Sequence, residues 1–304
     1  MNQQKKSAST SRKKTGEALA FIETRGKTGI IGALDIMPKT SEVSFFDRVN
    51  IGSGMVTVVY TGEVAASRAA HDAAASLAGK LGEFVAGNVI PRPHERIYSL
   101  IQQRPGEVSS EGLSGRSLAL GIVETYGFPG MIEAADRGIK AADVIIPGWV
   151  TVGSGLASVF FRGDVAAVHS AVEAAAVGAE RVSRVEGLHV IPQPHRGTEE
   201  AVPVGHGGEA PPDRKVSHDD ALGILETRGI TPLVEGIDSG LKAAGTVVQG
   251  WEKIGRGMAS TLFRGPVSDV KASMEAASAS ASKIGKITGS YIIARPHPEL
   301  DKGR

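Results

Sequence analysis

One pattern governs what this chain can fold into: it repeats itself three times without a gap. Glu23, Glu124 and Glu226 each open an E-T-x-G. Gly54, Gly155 and Gly257 each close a G-x-G, and His94, His195 and His297 each close a P-x-P-H or R-P-H. All three anchors recur after 101 and then 102 positions, and Glu and His stand 71 positions apart in every copy. That period is too long for a solenoid unit and suits a small complete domain. The 304 residues therefore read as domains at 17–98, 117–196 and 220–300, after a basic segment at 1–16. Linkers fall at 99–116 and 197–219. Both lack apolar periodicity, and the second is rich in Gly, Pro and Glu, so they read as flexible tethers. Such a tether spans roughly 25 Å relaxed and about 60 Å stretched, enough to join neighbours in a flat assembly.

The middle copy shows the elements best. Leu118–Glu124 is a short apolar run that suits a buried strand. Gly127–Asp143 has Pro129 near its start and Met131, Ile132, Ala135 and Ile139 at helical spacing. The β-branched Val144–Ile146 and then Leu156–Arg162 read as strands. Asp164 is placed to cap a second helix, whose apolar face carries Val165, Val168, Val172, Ala175, Ala179 and Val182. His189–Ile191 is a last strand, stopped by Pro192 and Pro194. Strand–helix–strand–strand–helix–strand is an α/β (α+β) fold of the ferredoxin-like βαββαβ kind, which by itself implies no function.

Composition closes several routes. Net charge is +1, so no broad basic surface points to nucleic acid. Aromatics are 5%, too few for base-stacking platforms. Cysteine is absent, which removes disulfides, thiolate metal sites and a cysteine nucleophile, and fits a reducing cytoplasm. The basic, Ser-rich start lacks the apolar centre of a signal peptide. The longest apolar stretch, around Ala141–Phe161, is broken by Pro147, Gly148, Gly153 and Gly155, so no membrane span is expected.

Three stretches carry a family resemblance. They are A-L-G-I-V-E-T-Y-G-F-P-G from Ala119, echoed at Ala18 and Ala221; A-A-D-x-x-x-K-A-A around Asp136, followed by G-S-G-L; and V-I-P-x-P-H at the domain end. Each copy thus resembles the shell-protein domain of bacterial microcompartments (BMC), in the unpermuted, hexamer-forming order, over about 80 residues. The resemblance implies a structural role in the shell of a metabolosome or carboxysome-like organelle, without catalysis. Six such domains form a flat hexagon around a pore, so three per chain imply a homodimer that completes a pseudo-hexameric tile. It also implies other shell proteins (hexamers, trimers, pentamers) and encapsulated enzymes as partners, and no nucleic acid or membrane.

On that resemblance Gly52, Ser53, Gly54, Gly153, Ser154, Gly155, Gly255, Arg256 and Gly257 line the pore, presenting hydroxyls and N–H groups to small polar or anionic metabolites. Arg256 departs from the small-residue pattern and would either add positive charge or fold across and narrow the opening. Without the family context the same G-x-G is a plain tight turn. Lys39, Lys140 and Lys242, each four residues after an Asp, correspond to the lysine at the tile edge. Arg92 and Arg295 correspond to the arginine that meets it, and Gln193 lacks that charge. Pro38 precedes Lys39 and should disturb its helix turn. The bland reading of each lysine is an i, i+4 pair with its Asp.

His94, His195 and His297 belong to the same edge segment. Each stands alone after a proline, so a cap or local hydrogen bond is expected and no metal site, and no cofactor is implied. The recurring Glu23, Glu124 and Glu226 suggest a shared structural hydrogen bond, since an enzyme seldom needs one catalyst in every repeat. No Ser-His-Asp order, phosphate loop or H-E-x-x-H is present. Lys5, Lys6, Arg12, Lys13 and Lys14 read as a solvated, disordered arm, or as a contact to acidic cargo or another tile. The alternative function is a sensory or scaffold protein that holds a small ligand between ferredoxin-like repeats.

Overall fold

A computed structural model describes residues 17–109, 111–113, 118–202, 204, 217 and 220–301. The basic arm at 1–16 and most of the second linker lie outside the described residues. The first copy runs β1 (Ala18–Arg25), α1 (Lys27–Thr40), β2 (Val43–Gly52), β3 (Met55–Gly62), α2 (Val64–Leu81) and β4 (Glu83–Ile90), followed by α3 (Glu95–Gln102). The second runs β5 (Ala119–Tyr126), α4 (Phe128–Ala141), β6 (Trp149–Gly153), β7 (Leu156–Gly163), α5 (Val165–Glu180) and β8 (Val185–Ile191), followed by α6 (Arg196–Ala201). The third runs β9 (Ala221–Arg228), α7 (Thr231–Ala243), β10 (Val247–Gly255), β11 (Met258–Gly265), α8 (Val267–Ile284) and β12 (Ile287–Ile293).

Each copy is one antiparallel four-stranded sheet with the order β2-β3-β1-β4 or its equivalent, the expected ferredoxin-like topology. β1 is buried on both faces except at Arg25. Ala20 and Ile22 lie in one apolar cluster with Ile30, Ala33 and Met37 of α1. The same cluster takes in Ala70, Ala74 and Ala78 of α2, whose small side chains at every fourth position let that helix sit close to the strands.

Several local expectations need correction. Val144–Ile146 makes only an isolated bridge through Ile145, and the strand begins at Trp149, beyond Pro147 and Gly148. Val165 is exposed, and Ala171 takes a place on the buried face of α5. Asp164 stands at the N-cap position, but its side chain makes no capping bond. Pro38 does not break α1, which runs on to Thr40. Proline has no N–H for the Leu34 carbonyl one turn back; the Tyr60 hydroxyl donates to that carbonyl instead, at 3.0 Å. Phe161 and Phe263 occupy the position of Tyr60 where Ile139 and Leu241 replace Pro38.

The first linker is also not a free tether at its start. Ile97, Tyr98, Leu100 and Ile101 of α3 are buried in one cluster with Leu19 and Phe21, so α3 covers the second face of the first sheet. The chain then runs onto the second copy. Trp149 Nε1 donates to the Gln103 carbonyl at 3.1 Å, and Gly106 N donates to the Trp149 carbonyl at 2.8 Å. A docked linker of this kind fixes two copies against each other more firmly than contour length alone would.

Candidate functional site

The features that recur meet at the joints between consecutive copies. Glu23, fully buried, accepts from Thr57 Oγ1 in its own copy at 2.7 Å and from Phe128 N of the second copy at 3.1 Å. Glu124 repeats this one copy on. It accepts from Ser158 at 3.2 Å, from Ile230 N at 3.0 Å and from Thr231 Oγ1 at 3.2 Å. Each carboxyl therefore satisfies N–H groups at the start of the next copy's first helix, where unpaired donors and the helix dipole favour an acceptor. Burial pushes the Glu23 carboxyl up to about 7, against the lowering effect of its bonds from Thr57 and Phe128. Burial raises Glu124 as well, opposed by its bonds from Ile230, Ser158 and Thr231. The expected structural bond is thus present in two copies, and it joins copies as well as strands. Sequence reasoning missed its reach into the next copy.

The glycine of E-T-x-G serves the same contact. A Cβ on Gly127 would stand 2.4 Å from Glu23 Oε2, and one on Gly229 would stand 2.3 Å from Glu124 Oε2. Among the described residues, nothing lies within 4 Å of such a Cβ on Gly26, the equivalent in the first copy. These glycines also tie the two motifs together. Gly26, Gly127 and Gly229 N donate to Gly54, Gly155 and Gly257 O at 2.7–2.8 Å.

The G-x-G segments are hairpin turns. Ser53, Ser154 and Arg256 have φ of 55, 52 and 54, and the glycines on both sides are also left-handed. Two left-handed central residues match the twist of an antiparallel pair. Consecutive turns lie side by side, the first against the second and the second against the third. A Cβ on Gly155 would meet Met55 Sδ at 2.4 Å, and one on Gly257 would meet Ser154 Cβ at 3.2 Å. Lys253 Nζ donates to Thr151 Oγ1 across the second joint at 3.1 Å, and burial holds this ammonium below its ordinary pKa.

At the other end of each joint the carboxylate of α4 or α7 faces the preceding copy's terminal segment. Asp136 accepts from His94 N at 2.7 Å, and Asp238 accepts from His195 N at 2.5 Å and Thr198 Oγ1 at 3.1 Å. Lys140 bonds Asp136 at 2.5 Å and also donates to the Arg92 carbonyl. Lys242 bonds Asp238 at 2.5 Å, and Lys39 bonds Asp35 at 2.6 Å. The i, i+4 pair is therefore real in every copy, and Arg92, His94 and Lys140 come together within one chain, with the Lys140 side chain still 40% exposed at the rim. The three histidines are helix caps: Nδ1 of His94, His195 and His297 accepts from the N–H two residues on, at 3.1–3.3 Å.

A βαββαβ unit repeated three times, with a buried carboxyl handed from each copy to the next and adjoining glycine-flanked turns, defines a tandem assembly domain. The chain belongs to the BMC domain family, which matches residues 18–93, 119–194 and 221–296, one stretch per copy. It is 35% identical over 194 residues to the carboxysome assembly protein CcmO of Synechocystis sp., covering 62% of this chain and 65% of that protein. It is 48% identical over 87 residues to the bacterial microcompartment shell protein PduA of Citrobacter freundii, covering 29% of this chain and 94% of that protein. Against the shell protein EutM of Escherichia coli K12 it is 44% identical over 92 residues, covering 30% and 95%. A microcompartment protein from Desulfitobacterium hafniense superposes with a TM-score of 0.50 at 29% identity, covering 62% of this chain and 99% of that one. The chain thus spans less than two thirds of the length of its Synechocystis relative. No helix among the described residues is long and apolar enough to cross a membrane.

Proposed function

We propose that this chain is a structural tile of a bacterial microcompartment shell, without catalytic activity, and that two copies close a six-domain ring. One observation carries the ring: the same joint occurs twice inside the chain, and its two complementary halves are left free at the ends. Glu226 is only half-buried and, among the described residues, has no partner from another copy. The start of α1 is likewise not met by a glutamate among the described residues. A repeated head-to-tail contact closes into a ring when its rotation divides the circle, and the shell proteins that each copy resembles support a count of six.

In that ring the turns at Ser53, Ser154 and Arg256 face the axis and form the pore, with Arg256 supplying two cations. Lys39, Lys140 and Lys242, with Arg92, Gln193, Arg295 and the three capping histidines, lie toward the rim that meets other shell proteins. Native mass spectrometry of the purified chain, with electron microscopy of the same sample, tests the reading. A species of twice 31.5 kDa that forms hexagonal particles, sheets or tubes is expected. A chain that is only monomeric or trimeric, or that completes its ring solely with single-domain tiles, overturns the two-chain ring.

A further inference from the structure

The outer edge of each joint carries a side-chain pair, and this pair differs from joint to joint. At the first joint Asn88 Nδ2 donates to Glu133 Oε2 at 2.6 Å, and Glu133 Oε1 pairs with Arg137 at 2.8 Å. At the second joint His189 and Ser239 replace Asn88 and Arg137. His189 Nε2 lies 2.7 Å from Glu235 Oε2, and Ser239 Oγ donates to Glu235 Oε1 at 2.8 Å. In the gap-free register the same three positions at the free ends are Tyr291 on β12, and Gly32 and Ile36 on α1. The acid is gone, its partner is an aromatic ring, and the third member is aliphatic.

The free ends look like the halves of an apolar contact. Tyr291 is 66% exposed, and Ile31 is 60% exposed. Ile132 and Val234, the equivalents of Ile31, are fully buried because the preceding copy covers them. Their burial gives the template for what Ile31 lacks. Ile31 precedes Gly32 and Ile36 follows one turn on, and Leu81 of α2 leans over the glycine, its Cδ1 2.5 Å from where a Cβ would stand and its side chain 44% exposed, so an aliphatic floor takes the place of the Glu133 carboxylate. A tyrosine ring is larger than the amide or imidazole it replaces and would crowd an acid at this place, whereas against Leu81 and Ile31 it meets apolar surface. Conversely, an Asn88-type edge laid on Gly32 and Ile31 would bury an amide without an acceptor. Thr28 also stands where Thr231 stands, ready to donate to Glu226 as Thr231 does to Glu124.

Resting on the two-chain ring, we propose that the seam between chains is a third, apolar version of the joint, in which Tyr291 of one chain packs on the aliphatic floor that Ile31, Leu81 and Ile36 form around Gly32 of a second copy. The pairing tells a second copy of this chain apart from tiles that carry the polar version, since each mismatch leaves either a buried acid crowded or a buried amide unpaired. The linked neighbours need no such device, because tethering already keeps them at high effective concentration.

Sedimentation of the full-length chain over a concentration series tests the seam. Tyr291→Glu and, separately, Ile31→Lys should each weaken the two-chain species by about 30-fold or more, as for an aromatic anchor at an interface. Tyr291→Phe should stay within about threefold of the parent, because the ring and not the hydroxyl carries the contact. Circular dichroism should stay unchanged in all three, since both side chains are exposed in the single chain. Tyr291→His with Gly32→Glu transplants the second joint. It should associate more tightly than Tyr291→His alone and become sensitive to salt and to pH near 6.5. A two-chain species indifferent to Tyr291→Glu and Ile31→Lys overturns the seam while leaving the ring standing. A parent chain that forms no two-chain species removes the ring itself.

Discussion

The two internal joints share a backbone plan and differ in side-chain detail. In both, a buried glutamate meets the start of the next copy's helix, and an aspartate meets a histidine N–H. At the second joint the Thr231 hydroxyl donates to Glu124 Oε2, so both oxygens of that buried carboxyl have donors. At the first joint Pro129 occupies that position, and Glu23 Oε2 is buried without a partner among the described residues. The edges differ in charge economy as well. Hydrogen bonding to Glu133 raises the Arg137 guanidinium pKa. Burial pushes Glu235 up, but bonds from His189 and Ser239 more than offset it, and the carboxyl lies below its ordinary range. Contacts made through main-chain N–H groups tolerate sequence divergence, because every residue but proline supplies one. Contacts made through side chains drift, and drift is what can make one edge unlike another.

The largest expected effect separates internal glutamates from the terminal one. Glu124→Ala strands the Ile230 N–H and two hydroxyls in a buried joint, so hydrogen exchange at the start of α7 should report a loss of about 3 kcal/mol or more. Glu226→Ala should cost the single chain under about 1 kcal/mol, since no other copy's donor is left unpaired. Equal losses at the two positions would break the comparison between joined and free faces.

Next comes pH. Burial pushes the Glu23 carboxyl up to about 7 from its ordinary 4.5, so the folded first joint holds a proton that the unfolded chain releases. Its contribution is complete below pH 4.5 and is lost as pH rises to 7, by about 3 kcal/mol. Thermal unfolding across that window should show the decline, and Glu23→Gln should flatten it. A Glu23→Gln profile parallel to that of the parent would sink the assignment.

Smaller effects sharpen the picture. Tyr60→Phe removes the donor that serves the Leu34 carbonyl beside Pro38, and should cost about 1 kcal/mol in melting experiments. The same change combined with Pro38→Ile, which restores a backbone N–H, should cost much less. Pro129→Thr should supply Glu23 Oε2 with a hydroxyl, as at the second joint, and gain about 0.5–1 kcal/mol. It should also move the pH decline toward lower pH.

Much of the fold was legible because repetition averages out local ambiguity. Three aligned copies place the strand–helix order, the turns at Gly52–Gly54 and the capping histidines even where one copy alone is weak. Local misreadings have local causes. Val144–Ile146 has strand composition, but Pro147 and Gly148 interrupt the ladder before it can pair as a strand. The α3 segment is eight residues long, too short for periodicity to stand out, yet four of its side chains are buried. Pro38 looks like a helix breaker until Tyr60, distant in sequence, is seen to satisfy the carbonyl it orphans.

By itself the sequence determined the number of copies, their common fold and the chemistry that recurs in each, since a repeat must satisfy the same backbone groups every time. Tertiary structure alone decided which recurring groups act within a copy and which reach the next. Glu124 binds Ser158 34 residues away and Ile230 106 residues away through one carboxyl. No spacing rule in a single chain reveals that second partner, because it depends on how whole domains are turned against each other.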